Sequence, residues 1–304
     1  MAVINTGLLT KGLRSEVFQR FEGTKTHYQD LATRVVSTSD REVYKWLGTV
    51  PQVREWGGGR LTQGLRTESY SVDNLKYEAT IEVDRDEISD DQTGQIRLRV
   101  SELAQRAATH KDYLISRLLI DGATAGNNSY DGTSYFSTTH QSGSSGTQSN
   151  KLSVDIASPA APTVDEFRSG LRAAVGNMLQ LRDDQGEPAM VSASGLVCVV
   201  PATMLFPAME AVSATVVDTG ANALAGIARV ITLPWLTASA VWYLLKTDAV
   251  IRPFIFQDRE PVEFGALTED SDEGFRREKF LYGVRARYRM AYGYWQYATQ
   301  VTFT

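Results

Sequence analysis

The chain has 304 residues, 42% of them hydrophobic, and carries 31 Lys and Arg against 36 Asp and Glu for a formal net charge of -5. That length and apolar content predict a soluble globular protein whose core is divided between two lobes. The acidic balance argues against a nucleic-acid binder, because phosphate binding needs a basic face and the arginines here are interspersed with acids.

Residues 1–12 lack the charged start and apolar block of a signal peptide, so no export is expected. Leu13, Val17, Phe18, Phe21, Tyr28 and Leu31 are scattered apolar positions with no strong pattern beyond one short helix, and residues 1–37 read as an arm. From Thr38 the character changes. Trp46, Leu47, Val50, Pro51, Val53 and Trp56 lead into Gly57, Gly58 and Gly59 and then a polar run from Arg60 to Ser69. Apolar side chains flanking a triple glycine predict a long hairpin or extended loop. A two-stranded projection is marginal in water, so its tryptophans either bury against something else or fold back on their own core.

Leu75, Tyr77, Ala79, Ile81 and Val83 alternate with Lys76, Glu78, Thr80 and Glu82, the pattern of a half-buried strand. A long amphipathic helix is expected from Asp90 to Gly122, capped by Asp90 and Asp91 and ended by the glycine. Ile96, Val100, Leu103, Ala107, Leu114 and Leu118 form its stripe, with Lys111 among the polar residues between them. Residues 123–151, rich in Gly, Ser, Thr and Asn, read as a surface loop anchored by Tyr130, Tyr135 and Phe136.

A composition shift at Pro159 and Pro162 opens the second lobe. It holds a helix from Asp165 to Leu181, a buried strand from Leu196 to Val200, a short helix from Ala202 to Val212, and strands over 227–233 and 241–245. The apolar stretch around the last two is interrupted by Arg229, Pro234 and Thr237 and does not read as a membrane span. Cys198 is the only cysteine, so no intrachain disulfide forms, and a reduced, cytoplasmic folding compartment fits. Finally Phe280, Tyr282, Val284, Ala286, Tyr288, Met290, Tyr292 and Tyr294 line one face of a very long strand, opposed by a comb of Arg285, Arg287 and Arg289. Such a comb suits phosphate, but is as easily matched by carboxylates on a neighbouring strand or on another subunit. The fold class is α+β.

Chemistry is poorly supported. There is no phosphate loop and no nucleophile elbow. His27, His110 and His140 are far apart and outside metal-ligand spacing. His140 with Asp131 and one of Ser134, Ser137 or Ser142 can be assembled on paper into a hydrolytic triad, as any Ser-rich loop allows. Glu269, Asp270, Asp272 and Glu273 form an acidic cluster without calcium-loop spacing and read as a solvated turn. No catalytic, cofactor or metal site is expected.

The block Arg41-Glu42-Val43-Tyr44-Lys45-Trp46-Leu47-Gly48 through Pro51, Arg54-Glu55-Trp56 and Gly59-Arg60 resembles the major head protein of Mu-like tailed phages. So do Asn74, Tyr77-Glu78, Ile81, Val83 and Asp90-Asp91, and then Asp131-Gly132 with Phe136 and His140. The motifs cover most of residues 38–140, and element order carries the rest.

The resemblance implies the Hong Kong 97-like phage capsid fold. Residues 1–37 become the N-terminal arm, 38–75 the extended loop and 76–164 a peripheral domain with a spine helix over 91–121. Residues 165–250 become the axial domain and 251–304 the strands returning to the peripheral domain. It implies a structural protein forming pentamers and hexamers of an icosahedral head around double-stranded DNA, held without sequence-specific binding. The implied inter-subunit contacts are Trp46, Val53, Arg54, Trp56, Gly57, Gly58, Gly59 and Arg60 of the extended loop. The expected partners are a separate scaffold protein, since few residues precede the helix, a maturation protease, a portal and a decoration protein. Assembly is expected in the host cytoplasm and the shell to be non-covalent. Two alternatives stand beside this reading: the related shell of a bacterial nanocompartment, and a hydrolase using His140 and Asp131.

Overall fold

The computed structural model describes residues 6–47, 70–90, 94–217, 220–268 and 271–304. The first helix, α1 (Thr6–Gly23), is 18 residues long, where one short helix is expected. Its scattered apolar positions find a receiver: Leu13 and Val17 are 1% exposed in a cluster with Val100, Leu103 and Ala104. Arg20 donates to Gln105 Oε1 at 3.1 Å and Ser101 to Glu16 at 3.2 Å across the same seam. The chain continues through α2 (Tyr28–Leu31) and β1 (Ala32–Val36) into a ribbon of β2 (Arg41–Tyr44) and β3 (Tyr70–Asp73), and then β4 (Leu75–Asp84). On β4 only Val83 is fully buried, with Tyr77 and Ile81 half-covered; Leu75 and Ala79 stay exposed on this edge strand.

The helix expected from Asp90 to Gly122 is α4 (Gln95–Asp121), and a separate short helix, α3 (Arg85–Asp90), precedes it. Gly94, immediately before α4, takes φ 72, a left-handed conformation that costs glycine little. The 27 residues of α4 span about 40 Å at 1.5 Å each. At its far end Gly122 keeps an ordinary φ of -63. Glycine is needed there for space: a Cβ would lie 2.8 Å from both the Leu118 carbonyl oxygen and Phe136 Cδ2.

Residues after α4 run partly over the surface on the expected anchors Tyr130, Tyr135 and Phe136, but they also send polar side chains inward. Ser129, His140, Ser142 and Asn150 are buried along with Tyr135 and Phe136. Asn150 shows why hydropathy misleads: its amide donates to the carbonyls of Tyr135 (2.8 Å), Trp295 (3.2 Å) and Ala298 (3.1 Å), and its oxygen accepts from Ser137 N at 2.9 Å. A polar group satisfied on all sides is buried at little cost. Strands β5 (His140–Gln141), β6 (Thr147–Gln148) and β7 (Lys151–Val154) lead to α5 (Val164–Gln180), which opens with a capping box of Thr163 and Glu166. Then come the fully buried β8 (Leu196–Val200), α6 (Leu205–Ser213) and the short β9 (Val216–Val217) and β10 (Gly220–Ala221). β11 (Ala228–Thr232) and β12 (Val241–Lys246) complete this stretch.

The longest strands, β13 (Phe254–Leu267) and β14 (Lys279–Tyr292), form a hairpin tipped by α7 (Asp272–Arg277), and β15 (Ala298–Phe303) ends the chain. One sheet has the order β1-β13-β14-β4, with β1 parallel to β13 and the rest antiparallel. The other has the order β11-β8-β12-β15-β7. The last strand therefore crosses into the second sheet, pairing β12 and β7, instead of returning to the first as expected. The crossing is tight. A Cβ on Gly293 would lie 2.5 Å from the Arg252 carbonyl oxygen, and the wholly buried Trp295 follows. Phe254 and Phe256 of the first sheet share a cluster with Val197, Tyr243 and Leu245 of the second, so the two sheets meet on a common core. Helices α5 and α6 cover the outer face of the second sheet. No described helix is long and apolar enough to cross a membrane.

Candidate assembly surfaces

The two-stranded ribbon is the root of the expected extended loop. Arg41 faces Asp73 and Tyr44 faces Tyr70 across it. Three polar anchors pin it to the body. The buried Tyr44 hydroxyl donates to Gln257 Oε1 at 2.7 Å, Gln257 Nε2 donates to Asn74 Oδ1 at 2.8 Å, and the Tyr70 hydroxyl accepts from Tyr292 N at 3.3 Å. Glu42 accepts from Thr38 N, Ser37 Oγ and Ser39 N; these bonds, the Thr38 amide first, hold its carboxyl below the usual range. Trp46 is half-buried and stands edge-on to Tyr44, ring centroids 5.6 Å apart. Of the two fates left open, this tryptophan packs on its own core. Val53, Arg54, Trp56, Gly57, Gly58, Gly59 and Arg60 lie outside the described residues.

The arginine comb meets carboxylates of its own chain. Arg285 reaches Glu260 at 2.6 Å, and Arg287 bridges Glu260 (2.9 Å) and Asp40 (2.7 Å). Glu260 is held below the ordinary glutamate range, first by the hydrogen bond from Arg287 and, after burial opposes it, by that from Arg285. Arg289 is exposed and lines a recess together with Tyr77.

The paper triad does not form. His140 is wholly buried and its ring lies flat on Trp295, centroids 4.1 Å apart at 4°. Its Nδ1 meets Asp131 Oδ2 at 2.6 Å and its Nε2 meets the Tyr135 carbonyl at 3.2 Å. With both ring nitrogens turned to acceptors, none is left to take a serine proton, and no serine hydroxyl bonds the ring. Ser134 donates to the Thr124 carbonyl and Ser137 pairs with Thr139. The arrangement is a structural clasp, which corrects the hydrolase alternative. Of the acidic cluster, Glu269 and Asp270 lie outside the described residues, while Asp272 and Glu273 face Arg276 and Arg277 at 3.7 and 3.4 Å. Among the described residues no group of three His, Cys, Asp or Glu could hold a metal ion.

Sequence reasoning missed a second constellation. Lys111, assigned to the polar side of the helix, is 9% exposed. Its ammonium sits 4.6 Å from the ring centre of Tyr28, 4.8 Å from Phe256, 5.5 Å from Phe21 and 5.7 Å from Tyr288, and donates to the Tyr28 hydroxyl at 3.2 Å. The next residue, Asp112, is 4% exposed and caps α2 by accepting from His27 N and Tyr28 N at 2.7–3.0 Å. The available signal was spacing: positions 111 and 112 fall between Ala108 and Ile115 on the buried face. A recess of about 820 Å³ opens beside Lys111, between α2, β1 and the start of β13.

These surfaces belong to a known architecture. A family model described as Mu-like prophage major head subunit gpT matches residues 7–169 and 237–303. The chain is 27% identical over 281 residues to the major capsid protein of Escherichia phage Mu, covering 92% of this chain and 68% of that protein. It is 26% identical over 277 residues to the Mu-like prophage FluMu major head subunit of Haemophilus influenzae, covering 91% and 66%. Among solved structures, the procapsid of bacteriophage JBD30 aligns over 97% of this chain and 75% of that one with a TM-score of 0.56 and 25% identity. A virus-like particle from Pyrococcus furiosus aligns over 96% and 98% with a TM-score of 0.57 at 9% identity, a likeness of fold alone. With the family model matched over most of its length, the chain belongs to the Mu-like prophage major head subunit gpT family, and is a structural capsid protein with the phage-capsid fold rather than an enzyme.

Proposed function

We propose that copies of this chain assemble as pentamers and hexamers into an icosahedral head enclosing double-stranded DNA. The observation that carries this reading is the ribbon root. Tyr44 and Tyr70 face each other across it and both are bonded into the body, so the two ends of the intervening segment are held side by side. In this reading residues 1–37 are the arm, 38–75 the extended loop, 76–164 the peripheral domain, 165–250 the axial domain and 251–304 the return segment, of which β13 and β14 stay in the first sheet while β15 ends in the second. Val53, Arg54, Trp56, the triple glycine and Arg60 meet a neighbouring subunit, with Trp56 as the aromatic anchor. The acidic net charge of -5 suits a lining that must not bind packaged DNA. A scaffold protein, a maturation protease, a portal and a decoration protein complete the assembly in the host cytoplasm. The nanocompartment alternative is not better supported, because the matching family model and the 27% identical relative are both phage head proteins.

Sedimentation and negative-stain microscopy of the chain, expressed with and without its neighbouring phage genes, test this. Closed shells, tubes or sheets are expected; a stable monomer even beside its scaffold would overturn it. Trp56→Ala should leave the thermal transition of the subunit unchanged and cut particle yield, because an interfacial tryptophan anchor is worth about 2 kcal/mol or more. Normal particle yield from that variant would remove the loop contact from the proposal.

A further inference from the structure

The Lys111 recess is a hole without its knob. Its floor is aromatic and cationic, and Val250, 92% exposed, stands at its rim. Arg34, Lys111 and Arg252 line it against only Glu22 and Asp258. Asp258 is taken by Arg34 at 2.7 Å, and Asp112 by the amides of His27 and Tyr28. Among the described residues no carboxylate lies within ion-pair distance of the Lys111 ammonium, although that ammonium is nine-tenths buried. A desolvated cation held by ring faces and one hydroxyl retains strong affinity for an anion.

The same chain carries a matching knob. Helix α7 caps the β13–β14 hairpin and presents Phe275 at 86% exposure, with the Asp272 side chain at 84% and Glu273 beside it; their contacts with Arg276 and Arg277 at 3.7 and 3.4 Å are exposed pairs of the kind worth little in water and readily exchanged. An exposed phenylalanine next to carboxylates complements an aromatic floor that holds a cation. It cannot fill its own recess. Phe256, in the floor, and Leu267, where the strand ends, are separated by eleven residues of extended chain, about 36 Å at 3.3 Å per residue. A contact between two different patches on neighbouring copies is heterologous, and repeats into rings or lattices.

Resting on the head-subunit reading above, we infer that the α7 tip of one copy docks in the Lys111 recess of the next, Phe275 against the aromatic floor and Asp272 or Glu273 toward the ammonium. The test is cysteine cross-linking in assembled particles carrying Val250→Cys and Phe275→Cys. The one native cysteine, Cys198, is wholly buried and silent. Mild oxidation of the double variant should give a ladder of dimers, trimers and higher species on non-reducing gels, and neither single variant should. A double variant that assembles but stays monomeric on the gel overturns the docking and leaves the head-subunit reading intact. So does a ladder from Phe275→Cys alone, since the tips would then meet each other. Failure of the wild-type chain to form particles at all strikes the head-subunit reading instead. Carbodiimide coupling of wild-type particles reads the same contact without substitution: a peptide joining Lys111 to Asp272 or Glu273 of another copy is expected, and its absence from otherwise well-coupled particles refutes the pair.

Discussion

Asp131→Ala should be among the most damaging single substitutions in this chain. The Asp131 side chain is 2% exposed and meets His140, at 0%, over 2.6 Å. Removing it leaves Nδ1 of a wholly buried imidazole without a partner, because the other ring nitrogen already faces the Tyr135 carbonyl and Trp295 covers the ring. Breaking a buried pair from one side costs about 3–5 kcal/mol. With each kcal/mol shifting the melting temperature of a large domain by roughly 2–4 °C, a drop of about 10 °C follows. Asp131→Asn keeps an oxygen acceptor and should lose much less. The assay is calorimetry on unassembled subunits, since assembly would raise the apparent stability by mass action. A fall of less than about 2 °C for the alanine variant would mean that water reaches the imidazole, and would refute the clasp.

Gly122→Ala and Gly176→Ala should move in opposite directions. The first puts a methyl group 2.8 Å from the Leu118 carbonyl and Phe136, an overpacking of about 1–3 kcal/mol; the second meets nothing within 4 Å inside α5 and should stabilise by about 0.5–1 kcal/mol, both read from urea midpoints. A carboxylate such as Glu260, whose folded pKa is depressed by Arg287, contributes stability that is full above its unfolded value and disappears as pH falls through its folded value. The subunit should therefore lose stability below about pH 4, and Arg287→Met should flatten that acid limb; an unchanged slope would count against the pairing.

The features that were legible in the sequence share one property: their apolar residues repeat with the period of the element that buries them. Phe280 to Tyr292 alternates, and the structure buries every second residue of β14. The motifs around Tyr44, Asp131 and His140 carried the family because those residues sit at the junction of loop root, sheet and second lobe. Illegible features were those in which tertiary partners override period. The amphipathic pattern of α1 is too weak to read, yet Leu13 and Val17 are sealed by a distant helix. Lys111 and Asp112 look solvated until the aromatic rings and amides that satisfy them arrive from residues 21–28 and from two strands far along the chain. The crossing of β15 into the second sheet depends on a close backbone approach at Gly293 that no local pattern announces.

The buried polar residues explain what apolar packing leaves undetermined. A hydrophobic cluster is non-directional, so it would tolerate small slides of α2 along α4 or of the 123–151 segment along the sheets. Asp112 removes the first freedom by capping a helix 84 residues away in sequence, and Asn150 removes the second by bonding three carbonyls on two segments at once. Gln257 does the same for the loop root, donating to the Val72 carbonyl and Asn74 while accepting from Tyr44. A shell subunit meets several neighbours at once, and an error of a few degrees where a hairpin of two 14-residue strands leaves the body grows to ångströms at its tip. Hydrogen bonds with fixed direction hold such angles more tightly than area burial does. The polar interior of this chain is therefore best understood as the part of the sequence that sets the geometry of assembly, with the apolar clusters supplying the stability against which that geometry is held.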